Sequence, residues 1–445
     1  MSTQPVSSQA TPAIPQPKLE LVRDVAPQAQ GIAIAILGFG TVGRSVAEIL
    51  SYSPDSRVRL THVFNRDVDR KRVSWANDEV LWTDKIDDIL DSDVDLVVET
   101  VGGVDPAYEW VRKALLKGKS VVTANKQLIA HRGRELTRLA FDTGQQLLFG
   151  ASVAGGVPVL LALQEGLAGD RLVGVSGILN GTCNYILNRM EQAGVSFDAA
   201  LAEAQQFGYA EADPSADVNG EDAAAKLAIL VQVALKVGLT PNAIRTTPVT
   251  DVDSVDFLYA KDLGCTIRQI ARAQFDGRKL FSSVEPALVA RESPLAQVQG
   301  NQNVVIASGK YGGNTAFTGA GAGGHPTAVA VISDLIAAAH GRTHQGWLVA
   351  GDSKPVRSSG DFTTPHYVRF VVKDRAGIIA EIATNLGARG INIDAVLQKP
   401  GFSKTALPFV ITLEPCGASV LRDALDELSR ADFLVQRPVT FPILK

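Results

Sequence analysis

Regular apolar patterning begins just after Gly31. Ile32, Ile34 and Ile36 interleave with Ala33, Ala35 and Leu37, so the run is apolar on both faces. A strand covered on both sides belongs in a parallel sheet with helices packed above and below. Residues 44–51 then read as a helix and Val58–Phe64 as a second strand. Residues 95–99 (Asp-Leu-Val-Val-Glu) read as a strand, 108–116 as a helix, and Ser120–Thr123 as a further strand. This alternation predicts an α/β fold with a Rossmann-type, doubly wound sheet over residues 31–150. Residues 1–30, rich in Ser, Gln, Pro and Ala, are expected to form a disordered tail.

From Ala151 the texture changes. Ala- and Leu-rich helices appear, notably 221–237, with Gly238 placed to cap its C-terminus. Strand-like stretches at 172–179 and 303–308 intersperse them. We read 151–318 as an α+β substrate and dimerisation domain. A glycine run, Gly319-Ala320-Gly321-Ala322-Gly323-Gly324, opens a helix over 326–340, and 319–345 is expected to return to the first domain. The polar stretch 351–365 lies in a linker assigned to 346–365.

Residues 366–445 form a third unit. Val368, Phe370 and Val372 alternate as a strand. Residues 377–389 are helical, with Ile378, Ile379, Ile382 and Leu386 on one side. Ile391, Ile393 and Ala395 alternate again, and residues 409–413 form another strand. Val420, Leu421, Leu425 and Leu428 make a second helical stripe, and a last strand is expected near Val435. The order βαββαβ is the ferredoxin-like plan. No internal repeat is evident.

Composition narrows the partners. Apolar residues at 46 % and charged residues at 20 % suit a soluble protein with more than one core. A formal net charge of −4 argues against nucleic acid or an anionic membrane as main partner. The longest apolar stretches, such as 227–235, are too short to span a bilayer. Cys183, Cys265 and Cys416 are odd in number and widely spaced, which suggests a reducing, cytoplasmic location and no disulfide framework.

Gly38-Phe39-Gly40-Thr41-Val42-Gly43 follows a buried strand and opens a helix. In that context the pattern signals a nicotinamide dinucleotide. Gly38 permits the turn, Gly40 lets backbone approach the pyrophosphate, and Gly43 allows close helix packing, with the helix N-terminus facing the phosphates. The tip of the second strand should read the ribose. It carries Asn65-Arg66-Asp67, with Arg70, Lys71 and Arg72 behind. Arg66 suits a 2′-phosphate and favours NADP; Asp67 keeps NAD open.

The densest chemistry lies between Gly208 and Lys226. Glu211, Asp213, Asp217 and Glu221 lead into a helix holding Asp222 and Lys226 at i and i+4, with only alanines between them. The helix continues as Leu227-Ala228-Ile229-Leu230-Val231, so this lysine is expected near a core, where its pKa is tunable and it can move a proton.

That segment closely resembles the homoserine dehydrogenase signature, and other segments agree. Gly38–Gly43 resembles that family's cofactor turn. Val98-Glu99-Thr100-Val101-Gly102-Gly103 is similar to its second cofactor strand, and Val122-Thr123-Ala124-Asn125-Lys126 to its conserved-lysine segment. Residues 177–187 resemble its substrate loop, 319–327 its late glycine-rich loop, and the third unit an ACT domain. The resemblance implies interconversion of L-homoserine and L-aspartate 4-semialdehyde with NAD(P)(H), in threonine, methionine and isoleucine biosynthesis. By position it implies that Glu211 and Asp222 hold the substrate's amino and hydroxyl ends, with Asp217, Thr182 and Tyr209 also lining the substrate. Lys226 would transfer the proton at the substrate oxygen, with Lys126 a second catalytic lysine. Two such ammonium groups are expected to lower each other's pKa. Thr100, Gly102, Thr123, Lys126 and Gly323 would contact the cofactor. The ACT resemblance implies an amino-acid effector, with threonine the natural candidate, and a homo-oligomer, dimer or tetramer. With no aspartate kinase region before the fold, a monofunctional enzyme is expected.

Three departures stand out. Gly150 replaces a glutamate common in the family before the turn that often holds a monovalent cation such as sodium. Backbone carbonyls of Gly150, Val153, Gly155 and Val157 remain as ligands for it. Cys183 stands where a second threonine is usual, and Ala376 where ACT domains usually have proline. Two rival readings are weighed. A cysteine-dependent semialdehyde dehydrogenase would need Cys183 as a thiolate nucleophile; the simpler reading is a small packed residue. A non-catalytic nucleotide-binding amino-acid sensor would require the catalytic lysine to be missing, and Lys226 and Lys126 are both present.

Overall fold

The computed structural model describes residues 31–52, 57–341 and 357–444. The expected tail at 1–30 and the greater part of the expected linker lie outside these residues.

β1 (Ile32–Leu37), β2 (Val58–Phe64), β3 (Leu81–Thr83), β4 (Leu96–Glu99), β5 (Ser120–Thr123) and β6 (Leu147–Leu148) form one sheet, in the order β3-β2-β1-β4-β5-β6. All its pairings are parallel. β3 and β6 are too short to show a period, so the sequence pattern missed them. The helix Thr41–Tyr52 starts directly at the glycine turn. The late helix Gly324–Ala339 packs on this same sheet: Ala328, Val331 and Leu335 share a buried cluster with Ile34, Ile36 and Val46.

The second sheet has eleven strands. They are β7 (Leu172–Ile178), β8 (Arg245–Thr246), β9 (Cys265–Phe275), β10 (Leu280–Ala290), β11 (Gln302–Gly309), β12 (Gly313–Ala320), β13 (Ser358–Ser359), β14 (Thr363–Val372), β15 (Ile393–Leu397), β16 (Leu407–Gly417) and β17 (Val439–Leu444). The path runs β12-β11-β7-β9-β10-β17-β14-β16-β15, with β8 and β13 pairing β10. The long β9–β10 hairpin turns at Asp276-Gly277, where Gly277 has φ +97°. An Asp-Gly pair between apolar runs was the available signal for it.

The four strands β17-β14-β16-β15, with helices Ile378–Gly387 and Ala418–Leu428, make the ferredoxin-like unit. β17 also pairs parallel with β10, Leu288 opposite Ile443 and Val289 opposite Leu444. The third unit is therefore joined edge to edge with the second.

Several expected boundaries shift. The helix after Glu221 is α-helical to Leu230, runs through a π turn over Val231–Leu235, and ends at Lys236 in the left-handed region. Gly238 is not its cap; a Cβ there would meet only the end of the flexible Arg134 side chain, at 2.7 Å. The last strand is Val439–Leu444 rather than near Val435, because Val435 is exposed and only Leu434 makes an isolated bridge to Val372. Ile379 and Val420 face solvent, so the helical stripes are narrower than they looked. The described end of the expected linker is already sheet: Ser358–Ser359 pairs β10, and Thr363 and Thr364 pair β16. Threonine is polar but β-branched, and suits a strand end as well as a loop.

A buried ion pair also ties the third unit down. Asp256, on the helix Ser254–Asp262, accepts from Arg369 Nη1 (2.8 Å) and from the Tyr367 hydroxyl (2.6 Å), both on β14. Asp256→Ala would leave the Arg369 charge, 4 % exposed, without its partner. It is expected to destabilise the protein by about 3–5 kcal/mol. Thermal unfolding of the variant checks this; an unchanged midpoint would show that the pair contributes nothing.

Candidate active site

The glycine turn has the shape that its sequence requires. Gly38 sits at φ +92°. A Cβ on Gly43 would lie 2.0 Å from the Gly38 carbonyl oxygen, so helix and turn touch there. A Cβ on Gly40 would meet nothing within 4 Å, which leaves backbone open to a ligand. The Thr100 hydroxyl donates to the carbonyls of Leu37 (3.1 Å) and Gly38 (2.7 Å) and braces the turn. Thr41 and Val42 open the helix, while the Phe39 ring is buried edge-on to Trp82. Gly102 and Gly323 both have positive φ, at +83° and +117°. Arg66 is exposed just beyond β2.

Glu99, at the carboxyl end of β4, is fully buried and was missed as a site residue. It accepts from the Thr123 hydroxyl (2.5 Å) and the backbone N–H groups of Val101 (2.7 Å) and Gly102 (3.2 Å). The Thr123 side chain is thus committed to Glu99. Burial pushes the Glu99 carboxyl up, against these hydrogen bonds. Asn125 donates to the Gly103 carbonyl (2.6 Å) and caps the helix Lys126–Asp142 by accepting from Leu128 N–H. That cap fixes Lys126 at the first helical position.

Lys126 reaches out of this sheet edge to ion-pair with Asp222 Oδ1. Lys226 Nζ donates to Asp222 Oδ2 (2.8 Å) and to the Leu179 carbonyl (2.7 Å). Asp222 is therefore a buried carboxylate between two ammonium groups. Burial opposes its charge, but Lys226 and Lys126 outweigh that and hold it well below the usual carboxylate range. The expected mutual lowering of the lysines is overturned for Lys126. Burial lowers it, but Asp222, Asp217 and Glu211 raise it more, so its net shift is upward. The anion between the two cations reverses the sign.

Asn180 was not singled out from sequence, yet it organises the acids. It caps the helix Gly181–Ala193, accepting from Cys183 N–H. Its Nδ2 donates to Asp217 (2.6 Å) and Asp222 (2.8 Å). Its place before a helix was the usable signal. Asn303 donates to the same Leu179 carbonyl that Lys226 uses (2.9 Å). Burial raises the Asp217 carboxyl. The Thr182 hydroxyl donates to the Tyr209 carbonyl (2.6 Å), and Tyr209 is exposed beside Tyr185. Glu211 is exposed at the rim, outside the hydrogen-bonded cluster.

Cys183 is fully buried, and its thiol donates to the Asp217 carbonyl (3.2 Å). Burial, then the charges of Asp217 and Asp222, push it well above an ordinary thiol. That disfavours the thiolate on which a thioester mechanism depends, and supports the packed-residue reading. At Gly150, where the family resemblance led us to look for a glutamate, a Cβ would lie 2.9 Å from the Asp334 carboxylate. Asp334, from the late helix, accepts from Gly150 N–H (2.8 Å) and fills that space; burial pushes it up to about 7.

The glycine turn, the Glu99 loop and Lys126 all sit at the carboxyl edge of the parallel sheet, where such folds bind dinucleotides. The Lys126–Asp222 pair brings a proton-transfer cluster to that edge, which defines a nicotinamide-nucleotide dehydrogenase. Family models place the chain more narrowly. Residues 38–150 match "Homoserine dehydrogenase, NAD binding domain", 158–336 match "Homoserine dehydrogenase", and 366–433 match "ACT domain". The chain belongs to the homoserine dehydrogenase family, NAD(P)-dependent enzymes of amino-acid biosynthesis, and carries a C-terminal ACT domain.

The Bacillus subtilis homoserine dehydrogenase is 37 % identical over 382 residues, spanning 83 % of this chain and 88 % of the relative. The Synechocystis enzyme is 35 % identical over 438 residues, 93 % of this chain and 99 % of the relative. The crystal structure of a homoserine dehydrogenase from Thiobacillus denitrificans superposes with TM-score 0.86 at 32 % identity, covering 94 % of this chain and all of that one. A hyperthermophilic archaeal homoserine dehydrogenase in complex with NADPH superposes with TM-score 0.61 at 26 % identity, covering 71 % of this chain and 100 % of that one. Among the described residues no helix is long and apolar enough to cross a membrane, and no group of His, Cys, Asp and Glu could hold a metal ion.

Proposed function

We propose that Lys226, with Lys126, moves the proton at the substrate oxygen as L-homoserine and L-aspartate 4-semialdehyde interconvert. The observation that carries this is the Lys126–Asp222–Lys226 cluster. The nicotinamide cofactor supplies or accepts the hydride when bound. An ammonium has three donors, and among the described residues Lys226 uses two, on Leu179 and Asp222. The third is left for the substrate. In the reductive direction a cationic lysine polarises the aldehyde oxygen and then protonates the alkoxide. In the oxidative direction the neutral amine takes the hydroxyl proton. Asp217 and the rim carboxylate of Glu211 suit the substrate ammonium, and Asp222, between its two lysines, belongs at the hydroxyl end, with Thr182 and Tyr209 lining the same loop.

The glycine turn, Thr100, Gly102, Thr123, Lys126 and Gly323 belong to the cofactor side of this reading, and the open space at Gly40 supports it. NADP is the preferred carrier, with Arg66 on the 2′-phosphate. The NADPH complex of the archaeal relative supports that choice. Arg66→Ala is expected to weaken NADP roughly tenfold or more, the worth of a charged hydrogen bond, and to leave NAD unaffected. Equal loss of both cofactors would remove Arg66 from that role.

A monovalent cation such as sodium fits beside Gly150. Carbonyls of Gly150, Val153, Gly155 and Val157 are the ligands, although Val157 also accepts from Val159 N–H (2.7 Å). The Asp334 carboxyl, which burial pushes up to about 7, lies beside the same turn, so the carbonyls rather than a fixed charge carry this reading. The ACT unit takes an amino-acid effector, threonine by its place at the end of the pathway, and supports a homo-oligomer.

The test is direct. Purified protein, L-homoserine and either NADP or NAD should give reduced cofactor at 340 nm. Cofactor binding without turnover would overturn the enzyme reading in favour of a sensor.

A further inference from the structure

Two side chains share one carbonyl at the catalytic cluster. The Leu179 carbonyl accepts from Lys226 Nζ (2.7 Å) and from Asn303 Nδ2 (2.9 Å). Strand register explains how they meet. β11 pairs antiparallel with β7, Val304 opposite Ile178. One step further along, Asn303 stands opposite Leu179, just past the end of β7. A carbonyl only accepts, so the amide must turn its NH2 group toward it. The next residue is Asn180, whose side chain holds Asp217 and Asp222. The Leu179–Asn180 step therefore anchors the lysine and both acids.

Packing alone does not account for an asparagine here. Asn303 is 1 % exposed, and its Oδ1 has no hydrogen-bond partner among the described residues. An unpaired buried amide oxygen lowers stability, and an apolar side chain of the same shape would avoid that cost. What an apolar side chain cannot do is donate to Leu179. The amide also touches the cofactor side. A Cβ on Gly321 would lie 2.1 Å from Asn303 Cγ and Oδ1 and 2.5 Å from Nδ2. Gly321 is in the glycine run between β12 and the late helix Gly324–Ala339. Its φ lies outside the left-handed region, so the close approach to Asn303, not backbone conformation, requires the glycine.

We propose that Asn303 is a positioning residue for proton transfer: it fixes the Leu179 carbonyl that aims Lys226, and the bare backbone of Gly321 holds the Asn303 amide in place. The proposal rests on the reading of Lys226 as the proton-transfer residue. An ammonium on a flexible four-carbon stem is aimed only by what its hydrogens bond. Asp222 tethers one hydrogen and the Leu179 carbonyl a second, which leaves the third a single direction. Without the Asn303 donor, that carbonyl is free to turn with the peptide joining β7 to the helix Gly181–Ala193. Misplacing a reacting group by about 1 Å costs up to roughly a hundredfold in rate.

A mutant cycle on the full-length protein tests this, read by steady-state homoserine oxidation and by fluorescence titration with NADPH. N303A should lower kcat about tenfold or more, with the KM for homoserine and the Kd for NADPH within about threefold of the parent. In the K226A background the same change should lower kcat no further, because the group it acts through is gone. A merely structural loss would lower kcat again there. Gly321→Ala adds one methyl group that the Asn303 amide must move to admit. G321A should therefore reproduce the kinetics of N303A, and it serves as the test even if N303A fails to fold. With the amide removed that space is free, so G321A combined with N303A should be no slower than N303A alone. The proposal is overturned if folded N303A or G321A keeps the parent's kcat, if the losses from N303A and K226A multiply, or if weaker NADPH binding accounts for the slower rate. A K226A protein with the parent's kcat would sink the catalytic reading itself; a slow K226A beside a fast N303A would sink the positioning role alone.

Discussion

Lys226→Ala is expected to lower kcat roughly a hundredfold or more while leaving cofactor affinity nearly unchanged, as loss of a proton-transfer group does. The reason is geometric. Lys226 is 8 % exposed, so little water can stand in for it. The Leu179 carbonyl and Asp222 fix its direction. The glycine turn, by contrast, is braced by Thr100 and does not use Lys226. The variant keeps the Lys126–Asp222 pair, so Asp222 is not left as a lone buried charge. Steady-state kinetics and a cofactor titration check this; a retained kcat would refute the role of Lys226.

Asp222→Asn is expected to lower stability as well as rate, because it removes the anion between two cations. The amide keeps the shape but not the charge. Losing one partner of a buried ion pair costs about 3–5 kcal/mol. Asp222 titrates below the ordinary carboxylate range when folded, a depressed pKa. Its stabilisation is therefore full above about pH 4 and is lost as pH falls below that. The gap in melting temperature between variant and parent should be wide at pH 7 and close in acid. The ammonium of Lys126 loses the largest influence raising its pKa. The alkaline limb of the aldehyde-reduction profile should then move to lower pH, with kcat down at least tenfold. A variant with the parent's melting temperature and pH profile would show that Asp222 does not couple the lysines.

How much of this was legible differs by element. The parallel sheet was readable because its strands are apolar on both faces, and Gly38, Gly40 and Gly43 because each answers a separate steric need. Asp222 and Lys226 were readable as partners because four residues on a helix bring side chains together. The edge of the third unit was misplaced at Val435, because an apolar residue in a turn looks like a strand residue until its exposure is known. Asn180, Glu99, Asn303 and Asp334 went unread. Each acts through groups at least 24 residues away or through backbone atoms, with no periodic trace.

The sequence by itself determined the alternating sheet, the dinucleotide turn, the third unit's element order and the Asp222–Lys226 pair, each written in spacings of a few residues set by backbone geometry; Lys126 came in only through the family resemblance. Only the tertiary structure decided that Lys126 and Lys226 share one carboxylate, which raises rather than lowers Lys126. It alone showed Asp334 filling the space beside Gly150, and β17 joining β10 so that the ACT unit meets the catalytic sheet edge to edge. Electrostatic coupling and enclosure depend on distances through space, and two residues a hundred positions apart carry no mark in the chain of whether they meet.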